Sequence, residues 1–592
     1  MKNKHLWLGL WLTLILAGFW GCSVGDEKVL VSETDLLEDF GKAPDYYNSK
    51  EIFHDSVGLE SVYLPMSDGI RIAVDLYLPE KPSAAEKIPT ILIMTRYWRA
   101  TEGMGIHPAA VKWCRYGYAV VMVDARGTGA SFGTRPYELF DGEIRDYGEV
   151  VDWIISRPWS NGRVGATGVS YLGSTAELLT VTGHPAVKVV VPKFNEFDVY
   201  TDIVYPGGIF MSSFIGLWGE LVADLDLLRL EEGKVRPVNA DERLLEQAIL
   251  DHHPNGNVYE QAVANPGKGH DAAIPYDSIS PLGLKNYIEA SGIPMSNWGS
   301  WLDAATGDGV LKRFKTFSNK QISVIGAWSH GAGHHASPFL PEGEPVNPSR
   351  EEQYFQDLKL MDYYLKGLPA LVSESPVIYY YTMGEEAWHL TKTWPPVGHQ
   401  SEAWYFGDKN KLTREKPISE GESDSYKVDF EHGTGTLNRW FTQLGGGDVV
   451  YEDRGTAEKG LLRYVSEPLE NSMEITGHPV AKLSLSTSAN EGVVIVYLEA
   501  IDPEGKVIYL TEGHLNFSHR KLSDEKPWDL DIPYHTFRTK DMLEVVPGEK
   551  MDLSFALLPV SVKLPAGYRL SIAIAGQDKD TFMPYGRDQD PE

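Results

Sequence analysis

Cysteine is almost absent: the 592 residues hold two, Cys22 and Cys114. A disulfide framework is thereby excluded as the main source of stability, and any fold must be held by burial of apolar surface. Positive charge is scarce as well. With 54 Lys and Arg against 83 Asp and Glu, the formal net charge is −29. Such a surface repels phosphate backbones and anionic lipid, which argues against nucleic acid as a partner. Solubility of a secreted protein, or an acidic face for cationic substrates, are the readings that charge leaves. Fixed-period repeats and low-complexity tracts are missing, and beyond the amino terminus no apolar run is long enough to span a membrane. Hydrophobic residues at 42% and charged ones at 23% are ordinary globular values, and the length implies roughly two to four domains.

The amino terminus reads as a processing signal. Lys2 and Lys4 precede an apolar run from Leu6 to Trp20, too short for a comfortable membrane span. Gly21-Cys22 follows, so residues 1–21 are expected to be a signal peptide. The junction resembles a bacterial lipoprotein cleavage box, with Cys22 receiving the lipid, although Phe19 and Trp20 depart from the aliphatic and small residues preferred there. An ordinary signal peptide is the alternative. Either way the protein is expected to be exported, to the periplasm or cell envelope, with a lipid anchor at Cys22 as its membrane contact. Residues 22–50 are polar and acidic and read as a tether. Cys114, in Val111-Lys112-Trp113-Cys114-Arg115, reads as a buried helix residue.

Between about residues 51 and 192, continuous apolar runs alternate with helical patterns. Ile91–Met94, Ala119–Val123 and Val189–Val191 are runs of the kind buried on both faces of a sheet. Residues 193–290 change character: Leu221–Leu230 and Asp241–Leu250 have helical spacing within Asn-, Pro- and Gly-rich surroundings. Core-like strands return at Ile293 and Ile322, so residues 291–372 read as the second half of the same sheet domain and 193–290 as a helical cap. From about Pro376 to residue 592 the pattern is all β, with alternation in Lys482–Ser486 and Arg569–Ile574, which points to a β-sandwich or jelly roll. The fold class is therefore α/β, with an inserted helical cap and a carboxyl-terminal β domain.

The chemistry-bearing signal is Gly168-Val169-Ser170-Tyr171-Leu172-Gly173, which follows the strand-like Val164–Thr167 and opens a helix-compatible stretch. A serine on a sharp strand-to-helix turn has its hydroxyl lifted out of the sheet, the nucleophile elbow of α/β-hydrolases. A serine nucleophile also needs a base, a carboxylate to orient the base, and donors for the oxyanion. Two later segments supply ionisable residues just past strand ends: Gly299-Ser300-Trp301-Leu302-Asp303 and Gly326-Ala327-Trp328-Ser329-His330.

Taken in order, Gly-x-Ser-Tyr-x-Gly, Gly-x-Trp-x-Asp and Gly-x-Trp-Ser-His, together with Asp124-Ala125-Arg126-Gly127-Thr128-Gly129-Ala130-Ser131-Phe132-Gly133, resemble the CocE/NonD-type serine hydrolases. That family includes cocaine esterase, α-amino acid ester hydrolases and Xaa-Pro dipeptidyl-peptidases. The resemblance runs from about Ser61 to near the carboxyl terminus. It implies an α/β-hydrolase core, a helical cap and a jelly roll, with Ser170 as nucleophile, His330 as general base and acid, and Asp303 fixing the His330 tautomer. It further implies the backbone N–H of Tyr171 and the hydroxyl of Tyr97 as oxyanion donors, although the proline that commonly precedes that tyrosine is missing. No metal or organic cofactor is required.

Other residues invite competing readings. Asp308 is a rival carboxylate to Asp303. His334, four residues after His330, and His335 have ligand-like spacing, but Gly331-Ala332-Gly333 between them argues for a loop. Trp298, Trp301 and Trp328 are candidates for an aromatic acyl pocket or for packed core. The glycines at 127, 129 and 133 have the wrong spacing for a dinucleotide fingerprint and read as a structural loop near the elbow. Aminoester hydrolases of the family carry an acidic pair shortly after the catalytic aspartate, whereas here Ala304-Ala305-Thr306-Gly307 stands there. Glu196, Asp198 and Asp202 remain as partners for a substrate ammonium, or as solvated surface. The substrate reading is an uncharged ester, with Xaa-Pro peptide cleavage as the alternative. A non-catalytic, glycan-binding surface lipoprotein is the alternative of a different class.

Overall fold

The computed structural model describes residues 32–44, 56–79, 87–231, 233–269, 274–418, 422–589 and 591. The signal segment and Cys22 lie outside the described residues. Ten strands form one mixed sheet: β1 Val57–Pro65, β2 Arg71–Pro79, β3 Ile88–Thr95, β4 Ala119–Asp124, β5 Ser160–Val169, β6 Val187–Lys193, β7 Met295–Ser300, β8 Gln321–Gly326, β9 Val377–Thr382 and β10 Ala387–Thr391. Their order is β1-β2-β4-β3-β5-β6-β7-β8-β9-β10. Neighbours from β4 through β9 pair in parallel, and the outer pairs β1–β2, β2–β4 and β9–β10 are antiparallel. Every residue of β3 and β4 is buried, as a parallel sheet covered on both faces requires. The chain leaves β3 for β4 on one side and returns with β5 on the other. The carboxyl ends of β3 and β5 thus flank a topological switch point, where open α/β sheets form their ligand crevice.

Helices α1 Glu33–Asp39, α2 Pro108–Cys114, α3 Asp141–Ile155 and α4 Tyr171–Leu178 pack on this sheet or its edges. In α3 the buried Ile144, Tyr147, Val150, Val151 and Ile154 recur at helical spacing, with Arg145 and Asp152 exposed. Cys114 ends α2 and is fully buried. The cap lies between β6 and β7 and carries α5 Ser212–Asp226, α6 Glu242–His252 and α7 Val258–Val263. Beyond the core, a six-stranded sheet orders its strands as 405–407, 411–413, 462–466, 569–575, 493–501 and 507–516. Two further pairs, 473–477 with 560–564 and 480–485 with 551–556, complete the β domain.

Three boundaries differ from the sequence reading. The stretch expected to be tether contains α1, closed by a capping box between Ser32 and Asp35. It docks through buried Leu36, a Tyr379 hydroxyl donating to the Leu36 carbonyl, and Phe40 stacked on Tyr379 at 4.6 Å. The β pattern that begins near Pro376 first completes the core: β9 pairs with β8, so the core sheet runs to Thr391 rather than ending at 372. The helix Lys285–Ser291, assigned to the cap, packs instead against Leu179–Thr182 at the end of α4. In all three cases a distant partner decides the layer to which the segment belongs.

Candidate active site

Ser170 sits between β5 and α4 with φ 63° and ψ −130°, a conformation costly for a non-glycine residue. Its surroundings hold it there. The Ser170 N–H donates to the Lys193 carbonyl at 2.9 Å, and its own carbonyl accepts the N–H groups of Gly173 and Ser174. A Cβ at Gly168 would meet Leu172 at 2.3 Å, and one at Gly173 would meet the Lys193 carbonyl oxygen at 2.6 Å. Both glycines are therefore required by close approach. Tyr171 is the first helical residue, where a backbone N–H has no intrahelical acceptor and points out of the helix start.

His330 follows β8 and Asp303 follows β7. The His330 Nδ1–H donates to Asp303 Oδ2 at 2.9 Å, with the Asp303 side chain fully buried. A carboxylate can only accept, so this contact assigns the proton to Nδ1 and leaves Nε2 as an acceptor. That Nε2 is buried and has no hydrogen-bond partner among the described residues. The Asp303–His330 half of the expected relay is thus joined, and the Ser170–His330 hydrogen bond is not formed. The two loops do adjoin, since a Cβ on Gly331 would lie 3.3 Å from the Val169 side chain. Such bonds often tighten only when substrate is bound. Burial pulls the His330 imidazolium down, but the charge and hydrogen bond of Asp303, with a further contribution from Glu196, outweigh it and hold its pKa above the ordinary histidine value.

The β domain grips both loops. Arg439, buried, donates from Nε to the Ala304 carbonyl at 2.9 Å and again from Nη2, while the Ala304 N–H donates back to the Arg439 carbonyl at 2.9 Å. Ala304, the residue after Asp303, has φ 37°. Thr306 Oγ1 donates toward Asp303 Oδ2 at 3.1 Å. Ser329 Oγ donates to the Gly446 carbonyl at 3.4 Å. Asp308, the rival carboxylate, is taken up elsewhere: Lys312 pairs with it at 2.7 Å and His478 at 2.9 Å.

Tyr97 lies just past β3, across the switch point from Ser170. Its hydroxyl oxygen accepts the indole N–H of Trp218, on α5, at 2.8 Å. Burial pushes the phenol up to about 12, so it is a proton donor over any working pH. Tyr97, Tyr171 and Ser170 border one cavity of about 90 Å³ between core and cap. Half of its other wall residues are aliphatic cap residues, among them Val199, Ile203, Ile215, Val258 and Ile274. Trp298, Trp301 and Trp328 do not border it. Trp298 stacks on Trp328 at 5.8 Å and donates to Ser296, and Trp301 donates to the Tyr381 carbonyl. They are core, and the pocket's aromatic members are Tyr97, Tyr171, Phe214, Trp218 and Tyr276.

Of the three acidic cap residues, only Glu196 borders the cavity. Asp198 pairs with Lys268, and Asp202 accepts the N–H groups of Phe197 and Asp198. The Glu196 side chain accepts from Ser174 at 3.3 Å, and its carbonyl is held by Arg313 at 2.7 Å. Burial raises its pKa. The other acidic wall residue, Glu138, is neutralised in a closed ring: Arg96 and Arg135 each bind both Glu138 and Asp226, tying the Tyr97 segment to α5.

The glycine loop after β4 folds around Asp124. The Asp124 carboxylate binds the Arg99 guanidinium at 2.7 Å and the Ala130 N–H at 2.9 Å, and a Cβ on Gly129 would lie 2.5 Å from it. This loop therefore buttresses the segment that bears Tyr97. His334 pairs with Asp448, and His335 meets the Pro341 carbonyl. Among the described residues, no group of three or more His, Cys, Asp or Glu is placed to hold a metal ion. Sequence reasoning missed Trp218 and Arg439. Trp218 reads as one more apolar residue of a helix, and Arg439 lies in a stretch without pattern.

Comparisons with known proteins agree with this architecture. Residues 68–332 match the X-Pro dipeptidyl-peptidase (S15 family) profile, and residues 370–590 match the X-Pro dipeptidyl-peptidase C-terminal non-catalytic domain. A protein designated a serine esterase from Mycobacterium bovis is 38% identical over 574 residues, covering 88% of this chain and 91% of the relative. Cocaine esterase from Rhodococcus is 24% identical over 561 residues, covering 89% and 91%. The solved structure of an α-amino acid ester hydrolase superposes with a TM-score of 0.67 at 19% identity, covering 92% of this chain and 93% of that one; this likeness concerns the fold. The chain belongs to the CocE/NonD-type serine hydrolase family, which holds serine esterases and X-Pro dipeptidyl-peptidases, and it is a hydrolase.

Proposed function

We propose that this hydrolase cleaves an acyl ester bond through Ser170, His330 and Asp303 by way of a covalent acyl-enzyme. The observation that carries the reading is the buried, unspent Nε2 of His330, with Nδ1 already tied to Asp303, beside a serine held in an elbow. Ser170 Oγ attacks the carbonyl carbon as its proton passes to His330 Nε2. Asp303 holds the tautomer and stabilises the imidazolium. The oxyanion that forms lies between the Tyr171 N–H and the Tyr97 hydroxyl, donors fixed before substrate arrives. Collapse breaks the bond to the leaving group, which takes the proton from His330. Water then gives its proton to Nε2, attacks the acyl-enzyme and releases the acid, returning the proton to Ser170.

The aliphatic walls favour an uncharged acyl group. Peptide cleavage after an Xaa-Pro pair is the second reading, and one observation favours it: Glu196 borders the cavity, and among the described residues no basic side chain is bound to its carboxylate. Ser170→Ala is expected to lower turnover by about 10³-fold or more and to abolish fluorophosphonate labelling. Wild-type labelling in that variant would remove Ser170 from its role. A parallel assay of aryl esters and a Gly-Pro arylamide separates the two substrate classes. If the arylamide is the better substrate, Glu196→Gln should raise its KM about tenfold or more and leave the KM of an uncharged ester close to wild type. The protein is further read as exported and anchored through a lipid on Cys22, in keeping with the charged, apolar and Gly-Cys sequence of its first 22 residues.

A further inference from the structure

We propose that Trp218, on cap helix α5, is a positioning residue that aims the Tyr97 hydroxyl proton at the reacting carbonyl, so that oxyanion stabilisation depends on docking of the cap. The inference rests on the reading of Tyr97 as an oxyanion donor.

A phenol offers one proton and two lone pairs, whereas an indole N–H can only donate. The 2.8 Å contact therefore fills an acceptor site on the Tyr97 oxygen and turns the single hydroxyl proton away from Trp218. Tyr97 and Ser170 border one cavity, and a carbonyl bound there can take that proton. Without the indole N–H the hydroxyl would be free to rotate, and part of its donation would be lost to reorganisation when the oxyanion forms.

The rest of α5 reinforces the alignment. Arg96 donates to the Val222 carbonyl at 3.2 Å and pairs with Asp226 at 2.7 Å, and the Trp98 indole donates to the Leu225 carbonyl at 3.2 Å. Positions 218, 222, 225 and 226 recur at helical spacing and so share one face. Three consecutive residues past β3, Arg96 to Trp98, are thus splinted along one side of a cap helix. Trp98 has φ 68°, a conformation that needs such external support. Trp218 is itself fixed by Phe214, stacked one turn earlier at 6.2 Å and 10°. The oxyanion donor sits on the core, but its orientation is set by the cap.

A double-mutant cycle on the full-length mature protein tests this, with p-nitrophenyl acetate as substrate so that the small acyl group is insensitive to a widened pocket. Tyr97→Phe should lower kcat about 10²-fold. Trp218→Phe should lower kcat about tenfold with little change in KM, and in the Tyr97→Phe background its further effect should shrink to within about twofold. An equal loss from Trp218→Phe in both backgrounds, or a loss confined to KM, would reduce Trp218 to packing and overturn the proposal. Wild-type kcat in Tyr97→Phe would instead remove Tyr97 from the oxyanion site, and the proposal with it. Should Trp218→Phe fold poorly, benzothienylalanine at position 218 keeps the ring shape and replaces the N–H by sulfur. The same tenfold loss is expected there, and wild-type kcat would refute the role of the N–H.

Discussion

Arg439 offers a direct test of whether the β domain takes part in catalysis. Its guanidinium makes two of the hydrogen bonds that pin the carbonyl of Ala304, next to Asp303, and Arg439 is only 1% exposed. Arg439→Met keeps the apolar stem and removes both donors. Hydrogen bonds from a charged donor contribute about 1.5–3 kcal/mol each. Against this, the variant relieves the cost of burying a cation that has no carboxylate within ion-pair distance among the described residues. The net expectation is a loss of about 1–3 kcal/mol of stability, read as a lowered Tm. The backbone link from the Ala304 N–H to the Arg439 carbonyl remains, so the loop should loosen rather than detach. A loosened Asp303 supports the His330 imidazolium less well. We expect kcat to fall about tenfold, equivalent to about 1.4 kcal/mol, with KM nearly unchanged. The pH profile carries the diagnostic sign. With His330 as the proposed base, turnover needs its neutral form, so kcat should rise with pH through its pKa, which Asp303 holds above the ordinary value. In Arg439→Met that acid limb should move to lower pH. A tenfold loss with the limb unmoved would mean general destabilisation, and wild-type kcat in a folded variant would refute the coupling.

Glu143 gives a stability prediction with a definite pH window. It lies buried between the hydroxyls of Tyr147 and Tyr171, and burial pushes it up to about 7. Below its unfolded value of about 4.5 both states are protonated and the raised pKa costs nothing; as pH rises toward 7 and beyond, the folded state loses about 3 kcal/mol relative to the unfolded. Glu143→Gln should therefore melt higher than wild type at pH 8, with the advantage gone near pH 4; equal differences at both pH values would contradict this. At the amino terminus, Cys22→Ser should abolish incorporation of labelled palmitate and release the protein from the membrane fraction, and unchanged membrane association would exclude the lipid anchor.

How far the site could be read from the chain depended on whether each constraint is local. The elbow was legible because Gly168 and Gly173 are demanded by atoms within a few residues or on the next strand, and the long apolar runs announced β3 and β4 because both faces of those strands are covered. Asp303 and His330 were legible through motifs at strand ends. The tryptophans were left undecided between pocket and core for the converse reason. Trp301 and Trp328 stand within those same motifs and Trp298 directly before the first, yet their rings turn into the core, and side-chain direction at a strand end is fixed by packing that the chain does not spell out. The residues that escaped detection act across domains. Trp218 is one of several apolar residues on a cap helix, and nothing in α5 marks the one whose N–H meets Tyr97. Arg439 lies in a patternless stretch of the β domain, and its role exists only because that domain docks against the turn after β7. Each part of the candidate site is thus held by a different unit: the elbow by the core, Tyr97 by the cap, and the turn after Asp303 by the β domain. If Ser170, His330 and Asp303 act as proposed, that division requires substitutions at the two docking contacts to change turnover without touching any of the three, which is what the Trp218 and Arg439 variants measure.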